Sequence, residues 1–142
     1  GSADWEAIAK IKKSLDIPVI ANGDIKNSQD AIKCLEITDA DGVMIGRASM
    51  GAPWLVGQID EEINNHKTFR TPDAKMKVSL SLEHLKLLLE KKGNHGLLIA
   101  RKHMNWTCRG FQGASALRHK LVRARTPNDA INLLEEELIK LN

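Results

Sequence analysis

At 142 residues, with a formal net charge of +3 and 27% charged side chains, the chain is long enough for one domain with a real core or for two small ones. It is shorter than the roughly 200 to 250 residues of a closed (β/α)8 barrel. No apolar run approaches the roughly 18 residues that cross a bilayer as a helix, which excludes a membrane-spanning helix and leaves a soluble, cytoplasmic protein as the expectation. Cys34 and Cys108 stand far apart without CxxC spacing, and the histidines fall in no metal-ligating pattern. Buried, reduced thiols and no metal centre are expected. The first residues, Gly1-Ser2-Ala3-Asp4, carry neither an initiator methionine nor a leader-like segment, as in a piece of a longer protein.

Residues 4 to 15 place Trp5, Ile8, Ile11 and Leu15 on one helical face with lysines between them, predicting an amphipathic first helix. Asp16 and Pro18 end it and open a strand in the run Ile17-Pro18-Val19-Ile20-Ala21-Asn22-Gly23-Asp24. A second such run, Asp41-Gly42-Val43-Met44-Ile45-Gly46-Arg47, follows one helix later. Both runs are short, apolar and closed by glycine, the pattern of strands covered on both faces. Between them Ser28 to Glu36 reads as a helix capped by Asn27 or Ser28, with Ala31, Ile32 and Leu35 toward the sheet. Strand, helix and strand at this spacing form a βαβ crossover, which makes the sheet parallel.

Parallel β/α proteins bind ligands at the carboxyl ends of their strands, where both glycine turns fall. Gly23 and Gly46 let backbone N–H groups approach an oxyanion, and Arg47 adds a permanently charged, forked donor. Asn22, Gly23, Asp24, Gly46 and Arg47 are therefore the candidate phosphate site, read as the pair of loops after strands seven and eight of a TIM barrel. The alternative is that both glycines serve only tight βα turns and that Arg47 pairs with a neighbouring carboxylate.

Beyond Arg47, Pro53 fits the first turn of a helix from Trp54 to Asn64, with Trp54 expected to pack against the barrel end. Residues 64–72 are polar and read as a linker. From there the pattern is helical only: Asp73 to Lys92, stopped by Gly93; His95 to Arg109; Gly113 to Arg125; and a last helix opened by Thr126 as cap and Pro127 at its first position. The expected fold class is α/β plus all-α. Residues 1–63 would form the last two β/α units of a TIM barrel, and residues 73–142 a helical bundle.

From Lys91 to Arg125 there are nine Lys or Arg residues and no Asp or Glu, whereas the remainder holds 12 basic and 18 acidic residues. A block of one sign argues for a polyanionic partner. In the second helix of this region Arg101, Lys102, Asn105 and Arg109 fall close to one side. In the third, Arg118, Lys120, Arg123 and Arg125 cannot all share a side, though Arg118 and Arg125 are two turns apart and align. These eight residues are the candidate RNA contacts, at spacings that follow successive phosphates. With only Trp106 and Phe111 as aromatics among them, shape and backbone charge, and hence a folded RNA, are expected over base stacking. The competing reading is a solvated face that happens to lack acids, or one neutralised by the acidic remainder of the parent protein.

Three segments carry a resemblance: Ile17 to Ile25; Ala40 to Ala48 with Pro53-Trp54; and Ala100-Arg101-Lys102-His103-Met104-Asn105-Trp106. Together they resemble the carboxyl-terminal half of bacterial tRNA-dihydrouridine synthases, in particular the B-type branch. The Arg-Lys-His-x-x-Trp helix narrows the choice, since many flavin and phosphate-binding barrels share the glycine turns. The resemblance covers essentially the whole chain. It implies an FMN-dependent, NADPH-driven reductase of the 5,6 double bond of uridine in tRNA, built as a TIM barrel plus a helical tRNA-binding domain. It implies too that Asn22, Gly23, Asp24, Gly46 and Arg47 line the FMN phosphate and ribityl end. The family's catalytic cysteine and flavin-seating lysine come from the amino-terminal half. No catalytic residue is therefore expected in this chain, which alone would be inactive and either weakly stable or associated through open sheet edges. Two other readings are a non-catalytic RNA-binding module and part of another FMN-dependent TIM-barrel oxidoreductase, such as a dihydroorotate-type dehydrogenase.

Overall fold

The computed structural model describes residues 2–141, which divide into two compact units between Arg70 and Thr71. The first unit runs α1 (Trp5–Lys13), β1 (Ile20–Asn22), α2 (Ser28–Thr38), β2 (Gly42–Met44), a 3-10 turn (Arg47–Ser49) and α3 (Leu55–Asn64). Asp4 caps α1 by accepting the Ala7 N–H, and Asn27 caps α2 by accepting the Asp30 N–H; such a cap stabilises a helix by about 1 kcal/mol. β1 and β2 pair in parallel, with Ile20 opposite Gly42, Ala21 opposite Val43 and Asn22 opposite Met44. Helix α2 is the crossover between them. Ala21, Ile25, Ala31, Cys34, Leu55 and Ile59 form the core of this unit, with Trp5, Ile8 and Val43 packed against it.

Four local details depart from the sequence reading. The first strand begins at Ile20 rather than Ile17, because Asp41 holds the preceding residue: its carboxylate accepts the Val19 N–H at 2.7 Å and the Lys12 ammonium at 2.6 Å. The Asp41 N–H in turn donates to the Val19 carbonyl at 2.9 Å. The strands are also not covered on both faces. Ala21 is fully buried, whereas Ile20 is 57% and Met44 55% exposed, so helices cover one face of this two-stranded sheet and the other stands open. Helix α2 continues to Thr38, whose hydroxyl donates to the Cys34 carbonyl. Helix α3 starts at Leu55, with Trp54 as its N-cap and Pro53 ahead of it rather than in its first turn.

The second unit consists of α4 (Ala74–Lys92), α5 (His95–Thr107), α6 (Ala114–Arg123) and α7 (Pro127–Lys140). Asp73 caps α4, and Thr126 with Asp129 forms a reciprocal capping box at the start of α7. Helix α4 packs on α5 and α7, and α6 on the same two. Val78, Leu85, Met104, Leu121 and Leu134 are fully or almost fully buried between them. Between α4 and α5, Gly93 takes a φ of 56° and Gly96 lies so close to α4 that a β-carbon there would stand 2.5 Å from the Leu88 carbonyl oxygen. Helices α5 and α6 each end two residues earlier than expected. Ala124 is extended, with ψ 124°, so Arg125 lies beyond α6 and the predicted alignment of Arg118 with Arg125 on one helix does not form. Among the described residues no helix is long and apolar enough to cross a membrane.

Candidate functional site

At the carboxyl ends of β1 and β2 the first unit opens a cleft of about 660 Å³, lined by Asn22, Gly23, Asp24, Ile25, Lys26, Met44, Gly46, Arg47 and Ala48. The parallel register is what gathers them: Asn22 opposite Met44 puts the two following loops side by side. All five residues selected from the sequence lie on this cleft. Lys26 was missed. Its only sequence signal is a cation in the same βα loop, two residues after Asp24.

The loop residues play distinct parts. Arg47 is 85% exposed along its side chain, and one guanidinium nitrogen lies 3.6 Å from Asp24 Oδ1. So open a pair contributes about 0 to 1 kcal/mol, and it leaves most of the guanidinium donors facing the cleft and solvent. The carboxylate partner of the alternative reading is thus present without occupying the arginine. The other Asp24 oxygen accepts the Ala3 N–H at 2.7 Å, and Asp24 itself adopts a left-handed φ of 56°. In the 3-10 turn the first internal bond runs from the Ser49 N–H to the Gly46 carbonyl at 3.1 Å, so the N–H groups of Arg47 and Ala48 have no partner within the turn. A β-carbon on Gly46 would meet only Asn22 Oδ1, at 3.9 Å. Its open side therefore faces the cleft.

Gly23 does more than line the cleft. Its φ is +136°, and a β-carbon there would stand 2.4 Å from the Ala3 β-carbon, so the missing side chain also makes room for the chain before α1. Its carbonyl accepts the Trp5 indole N–H at 3.1 Å. The cleft combines a guanidinium, an ammonium and two amides at the head of a turn. That donor set fits an oxyanion the size of a phosphate.

The eight candidate RNA contacts in the second unit divide by what they hold. Arg101 donates to the Ala124 carbonyl at 2.6 Å, Arg118 to the Cys108 carbonyl at 2.8 Å and Arg109 to the Asn105 carbonyl at 3.0 Å. Each takes up a carbonyl near a helix carboxyl terminus, where acceptors lack intrahelical donors and the macrodipole favours a cation. Lys102 lies over the Trp106 ring at 4.9 Å, and Arg123 bonds the His119 ring nitrogen Nδ1 at 2.6 Å. Lys120 and Arg125 are exposed, and Asn105 is half-buried. Sequence reasoning also missed an aromatic row: the His84 and His103 rings lie 4.7 Å apart, with Trp106 edge-on to His103 at 5.6 Å. Burial, and then the neighbouring His103, holds the His84 imidazole below its usual range. No local spacing announces this row, because His84 sits on α4 and meets α5 only after the helices pair. Cys34 and Cys108 are buried, and burial raises both thiols. Among the described residues no three metal-ligating side chains converge.

The family model described as dihydrouridine synthase (Dus) matches residues 1–142. The chain belongs to the dihydrouridine synthase family. It is 45% identical over 138 residues to the probable tRNA-dihydrouridine synthase 1 of Synechocystis sp., an overlap of 97% of this chain and 39% of that protein. It is 37% identical over 137 residues to the tRNA-dihydrouridine synthase B of Xanthomonas axonopodis pv. citri, covering 96% of this chain and 41% of the relative. With the tRNA-dihydrouridine synthase B of Pasteurella multocida it shares 35% over 136 residues, 95% of this chain and 41% of the relative. This dihydrouridine synthase family chain therefore spans about two fifths of the length of the curated relatives it matches.

Proposed function

We propose that the chain is the carboxyl-terminal part of a tRNA-dihydrouridine synthase, an enzyme that reduces uridine in tRNA to 5,6-dihydrouridine with NADPH, and that it contributes the FMN phosphate site and the tRNA-binding helices. On this reading residues 1–63 are the last two β/α units of a (β/α)8 barrel, 64–72 are a linker and 73–142 are the tRNA-binding domain, in a cytoplasmic enzyme. The observation that carries it is the cleft in which Asn22, Gly23, Asp24, Gly46 and Arg47 meet at the carboxyl ends of two parallel strands. Ligands of parallel β/α folds bind at that end. The names of the relatives support the tRNA substrate. The open face of the sheet, with Ile20 and Met44 exposed, is what a barrel wall presents before its other strands are added.

FMN, when bound, supplies the hydride chemistry. The residues of this chain bind and orient. Arg47 would hold the phosphate with charge-assisted bonds, seconded by Lys26 and by the amides of Arg47 and Ala48. Asp24 repels an anion; it stands beside the Arg47 guanidinium and fastens the chain before α1 through Ala3. Asn22 offers an amide at the cleft wall for the ribityl hydroxyls, and Gly46 leaves the wall free of a β-carbon. No proton donor for the uracil ring is assigned to this chain.

Replacing Arg47 with Ala in the complete protein removes a charge-assisted contact of roughly 1.5 to 3 kcal/mol. FMN affinity should fall about 10- to 150-fold. Flavin absorbance retained after gel filtration, and titration of apoprotein with FMN, read the change. Flavin content equal to that of the parent protein would overturn the phosphate assignment.

A further inference from the structure

The basic block does not present a uniform face. Between α5 and α6 lies a groove of about 320 Å³ lined by Asn105, Ser115, Arg118, His119, Val122 and Arg123. Its lining carries two guanidinium groups, an imidazole, a hydroxyl and an amide, and no carboxylate. The chain itself has no Asp or Glu from Lys91 to Arg125.

The pair at its edge fixes a hydrogen-bonding state. A guanidinium only donates, so the 2.6 Å bond between Arg123 Nη1 and His119 Nδ1 requires that Nδ1 accept. The ring proton then sits on Nε2, and the imidazole carries an N–H donor away from Arg123. A ring nitrogen that accepts does not cancel the Arg123 charge as a carboxylate would. His119 and Arg123 are both exposed on α6, one turn apart, and both line the groove. Arg118 is anchored below them by the Cys108 carbonyl, which fixes its remaining nitrogens at the groove wall.

We propose that this groove seats a backbone phosphate of the RNA, with His119 and Arg123 as the contacts and Arg118 as a prepositioned floor. The inference rests on the tRNA reading and goes beyond it by adding His119, which charge counting overlooked, and by placing one phosphate at a named point of the helical unit. An exposed groove lined by donors and free of carboxylates suits an oxyanion, and nucleic-acid phosphates are contacted by arginine, serine and asparagine side chains of this kind.

The test is tRNA binding by the complete protein across a salt series. His119→Ala and Arg123→Gln alter exposed side chains, and an unchanged melting curve shows that each variant folds. Arg123→Gln should weaken binding several-fold and lower the slope of log affinity against log salt by about one unit. His119→Ala should weaken binding several-fold with a smaller change in slope, and His119→Gln, which keeps a donor, should recover part of the loss. If both groove variants keep the parent affinity and slope while Lys120→Gln lowers them, the phosphate lies elsewhere and the inference falls with the tRNA reading intact. If the parent protein shows no salt-dependent tRNA binding but is captured by polyglutamate, both fall and the groove belongs to an acidic protein partner.

Discussion

Alanine is preferred to glycine inside a helix by about 1 kcal/mol, yet Gly96→Ala should destabilise this protein. A β-carbon at position 96 would lie 2.5 Å from the Leu88 oxygen, 2.6 Å from the Leu88 carbonyl carbon and 2.9 Å from the Leu89 nitrogen. All three are backbone atoms of α4, so no side chain can turn aside. Relief requires α4 and α5 to part by roughly 1 Å, against interiors packed like crystals. Overpacking costs about 1 to 3 kcal/mol, and a backbone obstacle belongs at the upper end. Gly96 also lies in the first turn of α5, where the propensity gain is partial, so the net loss should be about 2 to 3 kcal/mol. For a helical unit of this size that lowers the melting temperature by roughly 10 to 20 °C. Gly57→Ala is the control: it lies in α3 with nothing within 4 Å of its β-carbon position, and should gain about 0.5 to 1 kcal/mol. Urea unfolding followed by circular dichroism measures both. A Gly96→Ala protein as stable as its parent would refute the close approach of α5 to α4.

Gly23→Ala combines a φ of +136° with a 2.4 Å approach to the Ala3 β-carbon, a strain of about 1 to 3 kcal/mol; it should loosen the Ala3 and Trp5 contacts and reduce FMN retention with Arg47 intact, and full retention would show that this turn does not position the cleft. Leu134 is fully buried on α7, so Leu134→Ala should cost about 3 to 4 kcal/mol in urea unfolding; a loss below about 1 kcal/mol would contradict the core described for the second unit. Lys12 first, and then the Val19 N–H, holds the Asp41 carboxyl below its ordinary value of 3.8. A depressed folded pKa gives stability that is present above the unfolded value and lost as the pH falls through the folded one. Stability of the first unit should therefore decline below about pH 4 with a component that Asp41→Asn removes, and an identical acid limb in that variant would dismiss the contact.

Local punctuation made much of this fold readable in the sequence. Asn27, Asp73 and the Thr126-Pro127 pair mark helix starts, because a cap bonds residues only two or three positions away. Long-range bonds were not readable. The start of β1 was misplaced because Asp41, far along the chain, fixes Val19, and the cover on the strands was overestimated because an apolar run records what a surface is suited to face rather than what this chain places there. The cleft was legible for a related reason. A βαβ unit brings the residues after its two strands together by topology, so Asn22 to Asp24 and Gly46-Arg47 could be joined without distances. At Gly23 the sequence shows that a β-carbon is missing but not that Ala3 lies against the space.

The arginines of the basic block show why charge counting alone misdirects an experiment. Arg101 and Arg118 each donate to a main-chain carbonyl at a helix end, and removing a partner from a part-buried acceptor costs about 1 to 3 kcal/mol. Their replacement would weaken RNA binding even if neither touched RNA, simply by lowering the folded fraction or loosening the α5 and α6 termini. Neutralising Arg101 together with Lys102 therefore mixes a structural effect with an electrostatic one. Lys120 and Arg125 are exposed, and their loss changes the field with little change in packing. If RNA runs over this unit, Lys120→Gln and Arg125→Gln should each reduce the salt slope at constant melting temperature, whereas Arg101→Gln should lower the melting temperature whether or not RNA is present. That contrast separates the cations that build the surface from those that use it.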